Sequence, residues 1–467
     1  MDINPASETS TLANLHELAR QQDERSILAR ILEVNTRYAV ASVGSFKRDT
    51  VVVEFGRHGE LHTWPFDAFR RRLYHEAPVY FRDERNKEHK VGFATFWLKH
   101  PDATRYESLV FAPPGSERFV GPLDYNTWCG FSVEPCPGDW SQNRAHIRDV
   151  ICAGNKEHFD WLLNWIAAMV QRPGQHGWVA PVLKGGQGVG KGHFAHEMLG
   201  RLFRPSNYAH LTAPEQLTND FNSHLEDRSF VFADEAVWGD TRLANRLKGL
   251  ITEPQILINR KHCPQEIQDS ALHIIIASNA DVPLPVERDD RRLLVLQVSD
   301  KYQKNTKYFN TLRLELQNGG RAAMLHDFLH YEVDWDLLHH PPESVAKREL
   351  KAASMGPEEI WWSEVLEAEE PAGWELPQSR SAVYARYSAW HERVKPRAQK
   401  KSPSGLGTWF ARHFKQGGKS SWPRDGGKIQ HPIEPEKRDR TWIFPPLAEC
   451  RQVFDCATGT EHDWPKD

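Results

Sequence analysis

The spacing of apolar residues changes several times along the chain, and each change predicts an element. In "RYAVASVGS" (37–45) and "DTVVVEFG" (49–56) apolar and polar positions alternate as in half-buried strands, with the turn-like "SFKRD" between them. "PFDAFRRRLYH" follows with helical spacing, and Asp67 is its expected cap. Residues 1–25 are polar with room for one short helix, so residues 1–105 are expected to form a small α+β module. The Pro- and Gly-rich stretch from Tyr106 to Asp139 predicts an extended connector. "HFDWLLNWIAAMVQRP" repeats its apolar positions every 3.6 residues and stops at Pro173. Its stripe Phe159, Trp161, Trp165 reads as core rather than interface. Together, 106–176 are expected to form the connector and a helical collar.

From Gly177 to Ser299 short apolar runs alternate with helical stretches, which predicts a parallel sheet flanked by helices. "WVAPVLKG", "RSFVFA", "ALHIIIAS" and "RRLLVL" are the strands that matter most. "LELQNGGRAAMLHDFLHYEVD" adds helix, and this core is expected to span 177–345. Residues 346–358, within "HHPPESVAKRELKAASMGPEE", read as a polar linker. A separate last unit, 359–467, has two amphipathic helices, "SRSAVYARYSAWHERV" and "SGLGTWFARHFKQGG", then a basic turn, a strand and a closing helix.

With 467 residues, 17 Trp and 22 Phe, the chain can build several cores. A net charge of −4 does not announce a nucleic-acid binder, but between Arg380 and Arg440 basic residues outnumber acidic ones by about three to one. The six cysteines have no C-x₂-C spacing, so buried, reduced thiols in a cytoplasmic protein are expected. The start lacks the order of a signal peptide, and no apolar run approaches the ~18 residues of a membrane span.

The chemistry gathers in "VLKGGQGVGKGHFA". Gly185, Gly186, Gln187, Gly188, Val189, Gly190, Lys191 and Gly192 join a strand to a helix, the context in which backbone N–H groups cradle phosphates and a lysine reaches the terminal ones. Gly192 stands where a Ser or Thr hydroxyl ordinarily holds Mg²⁺. Mg²⁺ keeps several waters in any case, so one can fill that place. Asp234 and Glu235 end the strand Phe230–Ala233. Paired acids at a buried strand end suit a metal and a water: Asp234 to hold Mg²⁺, Glu235 to polarise the attacking water. Asn279 ends another strand and can bond a γ-phosphate and that water. Arg288, Arg291 and Arg292 precede the next strand, free to serve a neighbouring subunit or to pair with Asp289 and Asp290. "ILINRKHCPQEI" predicts two strands around a basic turn, Arg260, Lys261 and His262.

The order of these pieces resembles superfamily 3 helicases, the compact AAA+ motors of viruses, phages and plasmids. The likeness is nearer to the helicase portion of poxvirus-type primase-helicases and phage primase-polymerase fusions. "QGVGKGHFA", "FADEAVWGD", "LKGLITEP" and "IIIASNADVPLPVERDDRR" carry it. The resemblance implies an α/β AAA+ P-loop NTPase core with a central parallel sheet, a collar and a C-terminal winged helix. It implies a homo-hexameric ring that hydrolyses ATP with Mg²⁺ at subunit interfaces and moves on single-stranded or forked DNA, with 3′→5′ as the family's direction. Lys191, Asp234, Glu235 and Asn279 take the catalytic places, Arg291 or Arg292 that of the trans-acting finger. Arg260, Lys261 and His262 become a pore hairpin, and Arg412 and Lys415 lie on the winged helix's DNA-facing helix. No metal-binding Asp-x-Asp stands near the N-terminus, so a primase or polymerase is expected on another polypeptide. The alternatives are an AAA+ initiator or loader that remodels DNA without processive unwinding, and a nucleotide-binding regulator disabled at Gly192.

Overall fold

In a computed structural model the chain is described at residues 24–43, 49–56, 60–82, 87–213, 215–235, 237, 241–261, 263–287, 290–368, 374, 376–416, 423–430, 436, 438–459, 462 and 464. The alternating runs near the start form β1 (Tyr38–Val43), β2 (Asp49–Phe55) and β3 (Leu61–Trp64), followed by α1 (Phe66–Arg72), α2 (Phe93–Lys99) and the short β4 (Arg105–Tyr106). The sheet order is β3-β2-β1-β4, and Phe69 and Trp97 fill the space beneath it. Asp67 does not cap α1. Pro65 occupies the cap, and Asp67 lies inside the first turn, paired with Arg70 at 2.7 Å.

The middle of the chain contains α3 (Lys156–Gln171), β5 (Ala180–Lys184), β6 (Tyr208–Leu211), β7 (Phe230–Ala233), α4 (Thr241–Thr252), β8 (Gln255–Ile258), β9 (Glu266–Asp269), β10 (His273–Ser278), β11 (Leu293–Gln297), α5 (Thr306–Glu315), α6 (Arg321–Leu329) and α7 (Val345–Ala353). Five strands form one parallel sheet in the order β6-β7-β10-β5-β11. Successive side chains of a strand point to opposite faces, and here both faces are covered. Phe230, Phe232, Ile275, Ala277, Leu294 and Leu296 face a core shared with Trp161, Trp165, Phe194 and Met324. Val231, Ala233, Ile274, Ile276, Leu293 and Val295 face the other, shared with Leu247, Ile251, Ala346 and Leu350. Burial on two sides explains why the strands read as continuous apolar runs. Each buried Val, Leu, Ile, Phe or Met among them contributes about 1.5–3 kcal/mol.

Helix α3, in the expected collar, shares one core with the sheet. Residues 346–358, expected as a linker, instead contain most of α7. Its cap Ser344 accepts from Lys347 N–H at 3.0 Å and donates to the Val295 carbonyl at 2.5 Å, pinning the helix to the edge strand. The connector is also anchored, by Arg118 to Asp269 at 3.1 Å on β9.

The last unit has its own core. It runs α8 (Pro357–Glu367), β12 (Gln378–Ser379), α9 (Arg380–Val394), α10 (Pro403–Gln416), β13 (Arg424–Gln430), β14 (Arg438–Ile443) and α11 (Leu447–Thr458), with strand order β12-β14-β13. Trp362, Tyr387, Phe410 and Phe454 fill its centre. All six cysteines are unpaired, but only Cys152 and Cys450 are buried; Cys136, Cys263 and Cys456 are exposed, contrary to expectation. Among the described residues no helix is long and apolar enough to cross a membrane.

Candidate functional site

Ligands of open parallel sheets bind beyond the carboxyl ends of the strands, where consecutive connections leave in opposite directions. That point here lies at the end of β5. The chain leaves it for β6 at one edge of the sheet and finally returns as β11 on β5's other side. The glycine-rich loop begins at this point. Gly188 and Gly190 have φ of 78° and 109°, open to glycine without strain. A Cβ on Gly190 would also stand 2.6 Å from His146 Cε1. The loop is braced by the next layer: Gln303 Nε2 donates to the Gln187 carbonyl and Lys304 N–H to the Gly188 carbonyl, both at 2.9 Å. The helix after it, His193–Leu199, is wound as a π-helix, and Phe194 and Met198 bury it in the core.

Lys191 is buried. Its ammonium donates to the carbonyls of Gly185 (2.5 Å) and Gly186 (2.8 Å) and to Asn279 Oδ1 (2.7 Å). These acceptors are uncharged, and among the described residues no carboxylate forms an ion pair with it. Burial lowers its pKa, opposed by the fields of Asp234 and Glu235. Those two acids stand at the mouth of β7. Glu235 adopts φ 52°, a left-handed conformation that costs a non-glycine residue about 1–3 kcal/mol, and its N–H donates to Asp234 Oδ1 at 3.0 Å. His210 Nε2 approaches Asp234 Oδ2 at 3.7 Å.

Gln187 through Gly192, Asp234, Glu235 and Asn279 therefore line one cleft of about 510 Å³. Gly185 and Gly186 contribute by holding Lys191 from behind. The cleft has further residues that sequence reasoning missed: His193, Lys304, Thr306, Phe309 and Arg313. The only signal for them was helical spacing, since Thr306, Phe309 and Arg313 fall three and four apart on α5.

Arg291 and Arg292 are not in this cleft. They precede Leu293, which pairs with Ala180, at the opposite end of the sheet from the loop. Five residues of strand put them roughly 16 Å away. Asp290, buried, accepts from Arg292 N–H at 2.9 Å and lies 3.7 Å from the buried Lys248 of α4, which also contacts Glu287 at 3.0 Å. Arg288 and His262 lie outside the described residues. In the hairpin β8–β9, Lys261 is exposed at the turn. Arg260 is not a free grip: Glu226 and Glu266 (2.9 Å) clamp its guanidinium and raise its pKa. On α10, Arg412 joins Lys400, Lys401 and Trp409 around a groove of about 600 Å³, while Lys415 is exposed outside it. Lys400 is paired with Glu392 at 2.9 Å and Lys401 with Glu358 at 3.7 Å.

The architecture is a mixed α/β protein built on a parallel sheet with a polar cleft at its switch point. Residues 183–292, which hold the loop, both acids and Asn279, match the model of a family of unknown function, DUF5906. Over 143 residues the chain is 32% identical to the DNA primase-polymerase of Nitratiruptor phage NrS-1, a match covering 30% of this chain and 19% of that protein. The chain is homologous to the phage enzyme over that stretch, and the stretch spans about a fifth of the relative. The apo structure of the NrS-1 C terminal region (305-718) shares the fold, with a TM-score of 0.61 and 15% identity over 89% of this chain and 98% of that one. An A form of the same region gives 0.60.

Proposed function

We propose that this chain is the ATP-driven motor of a phage-type DNA replication apparatus, a ring-forming helicase of the AAA+ superfamily 3 kind. The observation that carries the reading is the meeting of Lys191, Asp234, Glu235 and Asn279 with a glycine-rich loop in one cleft, at the switch point of a five-stranded parallel sheet. Homology to a phage primase-polymerase supports the replication setting.

The residues suit a triphosphate. Lys191 is a buried cation with only neutral acceptors, so a polyanion supplies its missing counter-charge. The left-handed glycines let backbone N–H groups approach phosphate oxygens. Mg²⁺ fits less fully: no group of three or more His, Cys, Asp or Glu side chains gathers as a ligand set among the described residues, leaving Asp234 to hold the ion through water. When bound, Mg²⁺ neutralises charge on the phosphates. Glu235 accepts a proton from the attacking water. Asn279, its Oδ1 engaged by Lys191, has its amide N–H₂ to offer to a γ-phosphate.

Arg291 and Arg292, remote from their own cleft, serve as fingers for the next subunit of a homo-hexamer. Lys261 contacts phosphates of the translocating single strand, and Arg412 and Lys415 contact DNA from the winged-helix unit. A separate primase or polymerase completes the apparatus, and the setting is the cytoplasm. The test is displacement of a tailed duplex by the purified chain with ATP and Mg²⁺. Displacement lost in Lys191→Ala supports a helicase. ATPase activity without displacement moves the assignment to a remodelling initiator or loader, and absence of ATP hydrolysis at saturating Mg²⁺ overturns both.

A further inference from the structure

In the last unit α9 ends at Val394 and α10 begins at Pro403, and the groove of about 600 Å³ opens between their connection and α10. Lys400, Lys401 and Ser402 form one wall. Gly405, Trp409 and Arg412, spaced four and three apart, share the helix face that forms the other. The first wall is pinned to both helices. Tyr384 Oη of α9 donates to the Lys401 carbonyl at 3.1 Å, and Lys401 N–H donates to Tyr387 Oη at 3.3 Å. Ser402 Oγ accepts from Gly405 N–H at 3.1 Å, in the first turn of α10.

Trp409 is half-buried. One face of its indole lies on the buried His413 ring, 4.8 Å away and tilted by 27°, and Phe410 meets it at 65°. Among the described residues no ring stacks on its second face. The cations of the groove differ from one another. Lys400 is held by Glu392 and Lys401 by Glu358. Arg412 is exposed and has neither an ion pair nor a hydrogen bond among the described residues. One flat aromatic face and one free planar cation therefore stand a single helical turn apart.

A duplex covers the faces of its bases by stacking, and its major groove admits a protruding helix. Here the Lys400–Ser402 wall stands beside the α10 face and makes the surface concave. A flat indole inside a groove serves a base that has left the stack. A guanidinium without a partner suits one phosphate, which it can bind through two parallel N–H groups. We propose that this groove holds one unpaired DNA nucleotide, its base stacked on Trp409 and its phosphate bound by Arg412. The proposal rests on the reading that the last unit contacts DNA, and it adds the form of DNA that the unit takes: a single strand rather than a duplex.

The test is fluorescence anisotropy of the full chain with a labelled oligo-dT strand and with a blunt hairpin duplex of equal length. Both are titrated in a Lys261→Ala background, which removes the contact of the β8–β9 turn. Trp409→Ala is expected to weaken single-strand binding roughly 5–100-fold, and Trp409→Phe to restore most of it, with melting curves checking that each variant is folded. Arg412→Gln, an exposed substitution, is expected to reduce the slope of log K against log salt for the single strand by about 0.7. A strand carrying 5-bromodeoxyuridine is expected to crosslink to Trp409 under ultraviolet light and to lose that crosslink when annealed to its complement. Single-strand affinity unchanged in both Trp409→Phe and Arg412→Gln, with no crosslink at Trp409, overturns the nucleotide groove. If Arg412→Gln then weakens duplex binding, the unit's DNA contact stands without the groove. If it weakens neither form, both readings fall.

Discussion

Replacing Lys191 by methionine keeps the length of the side chain and removes its charge. In the folded protein the ammonium satisfies two loop carbonyls and Asn279 Oδ1. Of these three residues only Gly185 is buried; Gly186 and Asn279 are exposed, so water can replace the lysine there. One unsatisfied buried carbonyl costs about 1–3 kcal/mol. Removing a desolvated cation offsets part of that. The net loss of stability is expected to be about 1 kcal/mol, a fall in melting temperature of roughly 2–4 °C. Ligand binding suffers far more. Two charge-assisted bonds to phosphate at about 1.5–3 kcal/mol each amount to about 3–6 kcal/mol, at least a hundredfold in Kd. Calorimetric titration with ATP and Mg²⁺ beside a thermal melt measures both quantities on one preparation. A Kd within threefold of the unaltered protein, with an unchanged melt, would refute the argument that this cation waits for a polyanion.

Glu235→Gly relieves the left-handed strain at φ 52° and is expected to stabilise the fold by about 1 kcal/mol while abolishing steady-state ATP hydrolysis; a lower denaturation midpoint would count against strain at this position. Asp227, also left-handed at φ 56°, has its carboxyl pushed up to about 6 by burial, so the folded state holds the proton more tightly than the unfolded one. The stability this proton brings is present below about pH 4 and is lost as pH rises through about 6. Asp227→Asn is therefore expected to be stabilising by about 1–3 kcal/mol at pH 8 and near neutral at pH 4 in denaturant melts, and an equal gain at both would be the wrong outcome. Lys261→Ala is expected to reduce the slope of log K against log salt for single-stranded DNA by about 0.7 with no change in melting temperature. Arg260→Ala, which strands Glu226 and Glu266, should lower the melting temperature instead; the reverse pattern would reassign the two cations.

The strands and the glycine-loop half of the cleft were legible because each is encoded locally. A run such as Phe230–Ala233 is apolar at every position, and the glycine loop sits between one such run and a helix. The other half was hidden. Thr306, Phe309 and Arg313 carry no motif and lie far along the chain from Lys191; only folding brings α5 over the loop. Helix α7 passed for a linker because it buries only Ala346, Leu350 and the stems of Lys347 and Lys351, so its charges mask a core-facing stripe. For α3, periodicity shows a buried face but not which surface that face meets. The pairing of Arg260 was hidden because Glu226 lies far from it along the chain.

Lys248 ties two mechanical elements together. It belongs to α4, which leads directly into the hairpin, and it reaches Glu287 and Asp290 on the segment that carries Arg291. Asp290 has no solvent to turn to if that partner withdraws, and stranding a buried charge costs about 3–5 kcal/mol. A load on the hairpin large enough to shift α4 therefore drags the Arg291 segment along before it breaks the link. The hairpin and the exposed Arg291 therefore share one buried ionic link, and neither moves far without straining it.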